Sequence, residues 1–261
     1  MTRVTIIGAA GRMGRELCRA AIETDGVELS GGTVEPGSPD LGADLGELCG
    51  SGKVGVAATE DPSEDSGVLI EFTTPDATVE HLSYGKPHVI GTTGLSEEQL
   101  AKVEEAAKSA PIVLAPNMSV GVNLLREVVR DLSAKLVGYD IELVEAHHRH
   151  KKDAPSGTAL FLARAAAEGR DERLEDVAVY GREGLSPRGP GEIGVHALRG
   201  GAVVGEHRLI FYSEGEEVEV IHRALSRRTF ADGALRAAGF AANASPGLYG
   251  MADVLGLTGR R

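Results

Sequence analysis

The chain has 261 residues, enough for one large domain or two of ordinary size, and 42% of them are hydrophobic, which suffices for real cores. Lys and Arg number 27 against 39 Asp and Glu, a formal charge of −12 that argues against nonspecific nucleic-acid binding and against docking to an anionic membrane surface. Two cysteines, Cys18 and Cys49, are too few for a disulfide framework, and no apolar run reaches the ~18 residues of a membrane span, so a soluble, cytoplasmic protein is expected.

Met1-Thr-Arg leads directly into Val4-Thr-Ile-Ile7, a β-branched apolar run that predicts a strand rather than a leader. It ends in Gly8-Ala9-Ala10-Gly11-Arg12-Met13-Gly14, and a helix pattern follows from Arg15 to Ile22. Strand, glycine turn and helix form the context in which GxxGxxG implies a dinucleotide. Gly8 allows the tight turn, Gly11 lets backbone approach a pyrophosphate, and Gly14 lets helix and strand pack closely. The next strand, Val27 to Thr33, leads to Glu35, about 20 residues beyond the fingerprint, where a ribose-binding acid is expected. A carboxylate there accepts hydrogen bonds from a 2′-hydroxyl and repels a 2′-phosphate. Pro36 supplies no cation and Arg12 compensates only in part, so NADH is the expected cofactor, with NADPH tolerated.

Residues 36–53 are rich in Gly, Asp and Pro and read as a loop with at most a turn of helix, Cys49 falling in the loop; Val54 to Ala57 reads as a short strand. Gly67 to Phe72 is a clearer strand, ending in Thr73-Thr74-Pro75, and a tight crossover over 76–86 leads to His88-Val-Ile90. Ser96-Glu-Glu-Gln99 is a capping box opening a helix to Ala110, and Pro111 to Pro116 is the next strand. Alternating strands and helices predict a doubly wound parallel sheet, whose ligands sit beyond the strand C-termini. Thr73, Gly91-Thr92-Thr93 and Ala115-Pro116-Asn117 lie on that edge and, as a set, are expected to line the nicotinamide end.

Val122 to Val137 is an amphipathic helix expected to link two domains, and an apolar strand from Ile141 to Val144 follows it. Glu145-Ala-His147-His148-Arg-His150-Lys151-Lys152-Asp-Ala-Pro155-Ser156-Gly157-Thr158-Ala159 then concentrates three imidazoles, one guanidinium and two ammonium groups, against the sign of the whole chain. Glu145 and His147 are expected on one strand face, His148 and His150 on the other, and Pro155 to stop the strand. Ser156 caps a helix whose Gly157 and Thr158 offer backbone N–H groups at the positive end of its dipole. Cations and a helix N-terminus point to the same ligand, an anion, with an imidazole at hand to donate a proton. The histidines lack the Cys partners or HExxH spacing of a zinc site, so no metal is expected. Strands at Val177–Tyr180, Val195–Leu198, Ala202–Tyr212 and Val218–Ile221 come without intervening helices, which predicts an antiparallel or mixed sheet in an α+β domain. The Gly-rich loop 181–194 reads as a mobile lid or an intersubunit arm. Thr229 to Ala242 is helical, and the apolar tail 248–257 is expected to pack on the first domain. The expected division is 1–118 plus 228–261 for the dinucleotide, and 119–227 for substrate and oligomerisation.

On the motifs Gly8 to Gly14, Gly91-Thr-Thr-Gly94 and above all Glu145 to Ala159, with Val204-Gly-Glu-His207 and Arg228 to Gly233, the chain resembles the 4-hydroxy-tetrahydrodipicolinate (dihydrodipicolinate) reductase family of diaminopimelate and lysine biosynthesis nearly end to end. The resemblance implies a Rossmann domain, a second domain that builds a homotetramer through its sheets, and hydride transfer from NAD(P)H to a cyclic dicarboxylate imine. It implies His147 as proton donor or acceptor, Lys151 as a second proton donor, and His148 with Gly157 and Thr158 as holders of substrate carboxylates, beside the Ser156 cap. Gly8 to Met13, Gly91 to Thr93 and Ala115 to Met118 would contact the cofactor. The chain departs from the pattern at Pro36, where many relatives carry a cation, and in the short 76–86 crossover. The rivals are another two-domain NAD(P)-dependent reductase, which would need a thiol nucleophile or a differently placed Lys, and a nucleotide-sensing regulator that kept the fold.

Overall fold

The computed structural model describes residues 1–257 and divides the chain into two compact units, Met1–Val120 with the segment that begins at Arg227, and Gly121–Ser226. The last four residues assigned above to the dinucleotide domain, 258–261, lie outside the described residues. Among the described residues no helix is long and apolar enough to cross a membrane.

In the first unit β1 (Thr2–Ile7) is buried from Val4 onward, and α1 (Arg12–Glu23) lays Leu17, Cys18, Ala20 and Ala21 onto the core. β2 (Val27–Thr33) follows as expected. α2 (Leu45–Cys49) is the single turn of helix expected in the loop, and it includes Cys49, which the sequence placed in the loop itself. The strand anticipated at Val54–Ala57 lies further on, at β3 (Ala58–Thr59). The cause is Asp44: its carboxylate accepts the N–H groups of Gly46 and Glu47 at the start of α2 and those of Val54 and Gly55 from the far side of the loop. Residues 54 and 55 are thereby spent on a clamp and cannot join a ladder. β4 (Val68–Glu71) is buried throughout, as a central parallel strand must be. The tight crossover is made by α3 (Pro75–His81) and one 3-10 turn, Leu82–Tyr84, before β5 (His88–Ile90). The capping box opens α4 (Glu97–Ala107), with both reciprocal hydrogen bonds in place, and β6 (Pro111–Leu114) ends this half.

The second unit begins along α5 (Val120–Lys135) and β7 (Asp140–His147). β7 alternates strictly: Ile141, Leu143, Glu145 and His147 face inward and their neighbours outward. α6 (Gly157–Glu168) covers that inner face with Ala159, Leu162, Ala163 and Ala166, and α7 (Leu174–Val177) leads into β8 (Ala178–Tyr180). β9 (Ile193–Arg199), β10 (Gly205–Tyr212) and β11 (Glu217–Ala224) complete a mixed sheet ordered β11-β10-β7-β9-β8, in which β9 runs parallel to β7 and β10 antiparallel. Burial of Ile141, Leu143, Leu162 and Phe211 contributes about 1.5–3 kcal/mol each to this core.

The loop that reads as a mobile lid or an intersubunit arm carries several ion pairs. Arg182 pairs with Glu192 at 2.8 Å, and Arg188 pairs with Asp140 at 2.9 Å and with Glu142, while Ile193 and Gly194 belong to β9. Arg188 thus ties the loop to the start of β7 through Asp140 and Glu142, partners more than forty residues away in sequence, while Arg182 and Glu192 pair within it. The chain then returns to the first unit with α8 (Arg228–Ala241), β12 (Gly247–Tyr249) and α9 (Met251–Val254). β12 adds to β6 in parallel, giving a seven-stranded sheet ordered β12-β6-β5-β4-β1-β2-β3, and Met251 is buried in the core, so the apolar tail packs where it was expected to.

Candidate active site

Two groups of residues, one in each unit, have the chemistry of a site. In the first unit the order β4-β1-β2 puts the chain reversal of a doubly wound sheet at the C-terminal end of β1, where the glycine turn stands. Gly8 has φ 72°, a conformation reserved for glycine, and a Cβ on Gly14 would stand 2.1 Å from the Gly8 carbonyl oxygen. Gly11 is the N-cap of α1, and no acidic residue occupies the helix's first turn, so its positive end is not neutralised from within. The turn opens on a cleft of about 680 Å³ whose wall includes Gly8, Gly11, Glu35, Thr73, Glu60 and His81. Bare glycine backbone at a helix N-terminus suits a pyrophosphate, and a carboxylate at the end of the second strand suits a ribose hydroxyl; these residues fit a dinucleotide.

Gly8, Ala10, Gly11 and Glu35 line this cleft. Ala9 is buried, its N–H donating to the Thr33 carbonyl at 2.8 Å, and on the first turn of α1 Arg12 is exposed and Met13 half-buried. Thr92 is buried at the end of β5, where its hydroxyl accepts the Thr73 N–H at 3.0 Å and the Thr78 hydroxyl at 2.9 Å, while Thr93 is exposed. Gly91 has a packing reason of its own: a Cβ would lie 2.3 Å from the Phe72 ring. Beyond β6, Ala115 and Met118 are buried, Pro116 is exposed, and the Asn117 side chain accepts the Ser119 N–H at 2.8 Å.

Sequence reasoning missed Glu71. This wholly buried carboxylate ends β4 behind the cleft wall, accepting the Thr73 hydroxyl at 2.6 Å, with His81 Nδ1 at 3.0 Å and His88 Nε2 at 2.9 Å. Against burial, which raises it, the two imidazoles and the hydroxyl hold its carboxyl down to about 2. An acid closing the apolar run Val68-Leu-Ile was the available signal. Both thiols are buried, and burial pushes Cys18 up to about 12, so neither is placed to serve as a nucleophile.

In the second unit the site is built on Glu145 and His147, consecutive inward positions of β7. The Glu145 carboxylate has no exposed surface and accepts from His147 Nδ1 at 2.6 Å, from the Ser156 N–H at 2.9 Å and from both terminal nitrogens of Arg199 at 2.8 Å. Burial raises Glu145 and these donors, Arg199 foremost, outweigh it, leaving the carboxyl below its ordinary range. Burial also drives His147 below the usual imidazole value; Glu145 opposes this, and the Lys151 and Arg199 charges add to it.

Ser156 is the N-cap of α6, its hydroxyl accepting the Ala159 N–H at 3.1 Å, and Gly157 and Thr158 form the first turn with no acidic side chain beside them. Lys151 turns its ammonium to both oxygens of Asp153 at 2.8 Å. His148 is half-buried, its ring 6.3 Å from that of His150. The expectation that His148 and His150 share the opposite strand face is not met, nor does Pro155 stop the strand. β7 ends at His147, whose carbonyl accepts the Gly200 N–H as the chain enters a turn at 149–150. Its partners end there as well: β9 finishes at Arg199, and the β10 ladder reaches only Ala146.

Two more residues of this site carried no assigned role in the sequence. Arg199 stands opposite His147 in the parallel β7–β9 register. His207, in the motif Val204-Gly-Glu-His207, meets the Ser156 hydroxyl through Nε2 at 3.0 Å and the His147 ring edge-on at 5.3 Å; burial, with the charges of His147 and His222, pushes it down to about 3.

Comparison with known proteins covers both units. Residues 2–118 match the family model described as dihydrodipicolinate reductase, N-terminus, and residues 121–255 the one described as its C-terminus. The 4-hydroxy-tetrahydrodipicolinate reductase of Rubrobacter xylanophilus is 77% identical over 98% of both chains, and that of Chromohalobacter salexigens 49% identical over 99% of this chain and 100% of the other. Among solved structures, a dipicolinate-bound dihydrodipicolinate reductase from Paenisporosarcina sp. TG-14 shares the fold with a TM-score of 0.74 at 24% identity, covering 96% of this chain and 97% of its own.

Proposed function

The chain belongs to the dihydrodipicolinate reductase family, and from that premise we propose how its own residues carry out the reaction. The protein is an oxidoreductase that reduces 4-hydroxy-tetrahydrodipicolinate with NAD(P)H, a step of diaminopimelate and lysine biosynthesis. When bound, NAD(P)H supplies the hydride. The glycine turn and Glu35 would hold it, with Thr92, Thr93 and the 115–118 segment toward its nicotinamide end. Loss of the 4-hydroxyl as water gives dihydrodipicolinate, a conjugated imine, and hydride addition to it leaves an electron pair on the ring that must be met by a proton. His147 delivers that proton, Lys151 offsets the developing charge or protonates it, and His148, Ser156, Gly157 and Thr158 grip the substrate carboxylates. The observation that carries this reading is the buried, hydrogen-bonded Glu145–His147 pair beside a helix whose N-terminus is capped by neutral Ser156.

Lys151→Ala tests the site. It should lower kcat/KM by roughly 10²-fold, the usual loss when one charge-stabilising donor is removed, with a weaker KM for the dicarboxylate. The substrate is made in the cuvette from aspartate semialdehyde and pyruvate, and NADH oxidation is followed. Wild-type kinetics in that variant would take Lys151 out of the site.

NADH is the preferred cofactor. Glu60, Asp61 and Glu80 join Glu35 in lining the cleft, and among the described residues no Lys or Arg lines it. A 2′-phosphate would bring negative charge into that wall, so NADPH should bind at least about tenfold more weakly, which is 1.4 kcal/mol, and the gap should narrow with salt. Titrations of both cofactors at two ionic strengths decide it; tighter NADPH binding would overturn the assignment. The family's homotetramer is supported by apolar side chains left exposed on the second sheet, Tyr180, Leu198 and Ile221, and sedimentation of the pure protein as a monomer would refute it.

A further inference from the structure

Resting on His147 as the proton-transferring group, we propose that Glu145, clamped by Arg199, is a positioning residue. It fixes His147 in the Nδ1–H tautomer so that only Nε2 exchanges the proton, and Gly205 keeps that nitrogen uncovered.

Donors and acceptors around Glu145 dictate the tautomer. Glu145 Oε1 receives the Ser156 N–H and one Arg199 nitrogen, and Oε2 receives the other Arg199 nitrogen and His147 Nδ1. Amide and guanidinium groups can only donate, so the carboxylate is an ionised acceptor on both oxygens, and Nδ1 is left the donor's role. A buried carboxylate with this many donors has no reason to take the imidazole's proton, and the ring is fixed in both tautomer and direction. Nε2 then faces Gly205, where a Cβ would stand 3.1 Å from Nε2 and 3.5 Å from Cδ2. Any other residue at 205 would put carbon against the nitrogen that must meet the substrate.

Besides Glu145, the groups facing the ring are Lys151, Arg199 and His207, and burial keeps His207 neutral, so it contributes shape rather than charge. In turnover the hydride forms a C–H bond on the imine. The displaced electron pair takes the Nε2 proton onto the ring, and the imidazolium reverts to its Nδ1–H form. No proton moves to Glu145 at any stage.

Full-length protein labelled with ¹⁵N-histidine reads the tautomer directly through long-range ¹H–¹⁵N correlations, with His147 assigned by its disappearance in His147→Gln. Wild type should show the proton on Nδ1 and a bare Nε2. In Glu145→Gln the amide NH₂ is expected to face Nδ1 and reverse the tautomer. kcat should then fall by roughly 10²–10⁴-fold and the pH profile lose its His147 limb, while the NADH dissociation constant stays put. Should that variant fail to fold, Gly205→Ala decides: the tautomer should be kept while kcat falls by about tenfold or more, because a misplaced contact at the reacting atom is costly. A wild-type proton on Nε2, a folded Glu145→Gln with native rate and profile, or a Gly205→Ala with native kcat would each overturn the inference. His147→Gln separates the two levels. Native turnover there removes the proton-transfer reading itself; collapse there with native Glu145→Gln and Gly205→Ala removes only the positioning role.

Discussion

His147→Gln is expected to lower kcat by roughly 10²–10⁴-fold, the contribution of a positioned acid, while leaving the NADH dissociation constant unchanged. The substitution suits the question because Gln is long enough to donate its amide to Glu145, keeping the buried carboxylate supplied where His147 Nδ1 now stands at 2.6 Å. It supplies no titrating group, so loss of rate without loss of fold reports proton transfer. The wild-type pH profile gives an independent reading. Burial places His147 below the ordinary imidazole value, so the form protonated on both nitrogens exists below that lowered pKa and is lost as pH rises through it. For the free enzyme, kcat/KM should therefore decline with rising pH through a limb centred below about 6.5, and His147→Gln should lack that limb. A variant with native kcat, or one that retains the limb, would refute the assignment.

A second large effect is expected at Gly14. A methyl there would fall 2.1 Å from the Gly8 oxygen and 2.7–2.8 Å from the Ala9 backbone, and backbone cannot step aside as the end of a side chain can. α1 must move away from β1, opening the contacts of Leu17 and Ala21 and displacing the helix N-terminus proposed to meet the pyrophosphate. Gly14→Ala should cost about 3 kcal/mol, the upper range for overpacking, and weaken NADH binding at least tenfold. Gly157→Ala is the control, since a Cβ there meets nothing within 4 Å and it also opens a helix. Denaturant unfolding and NADH titration of the two variants make the comparison; equal stability and affinity in Gly14→Ala would show that the close approach of α1 to β1 does not matter.

Several features of the site were already legible in the residues. The glycine turn, the strand that leads to Glu35, the Ser96 capping box, the Ser156 cap and the cationic run 147–152 each lie within a few turns of chain, where periodicity, φ requirements and capping chemistry act locally. The α/β class followed from the alternation of these segments, and the mixed second sheet from their absence of intervening helices. Where a local pattern misled, a distant partner was responsible. Asp44 drew Val54 and Gly55 out of the strand that their apolar neighbours implied.

The sequence by itself determined which chemical groups are present and which short segments present them. Only the tertiary structure decided how those groups are charged and aimed. Arg199 meets Glu145 from 54 residues away, His207 meets Ser156 from 51, and Glu71 gathers His81 and His88 from the next helix and strand. These meetings follow from strand register and burial: parallel pairing of β7 with β9 sets Arg199 opposite His147, and removal from water leaves a carboxylate, a guanidinium and an imidazole to satisfy one another in a fixed hydrogen-bonded cluster.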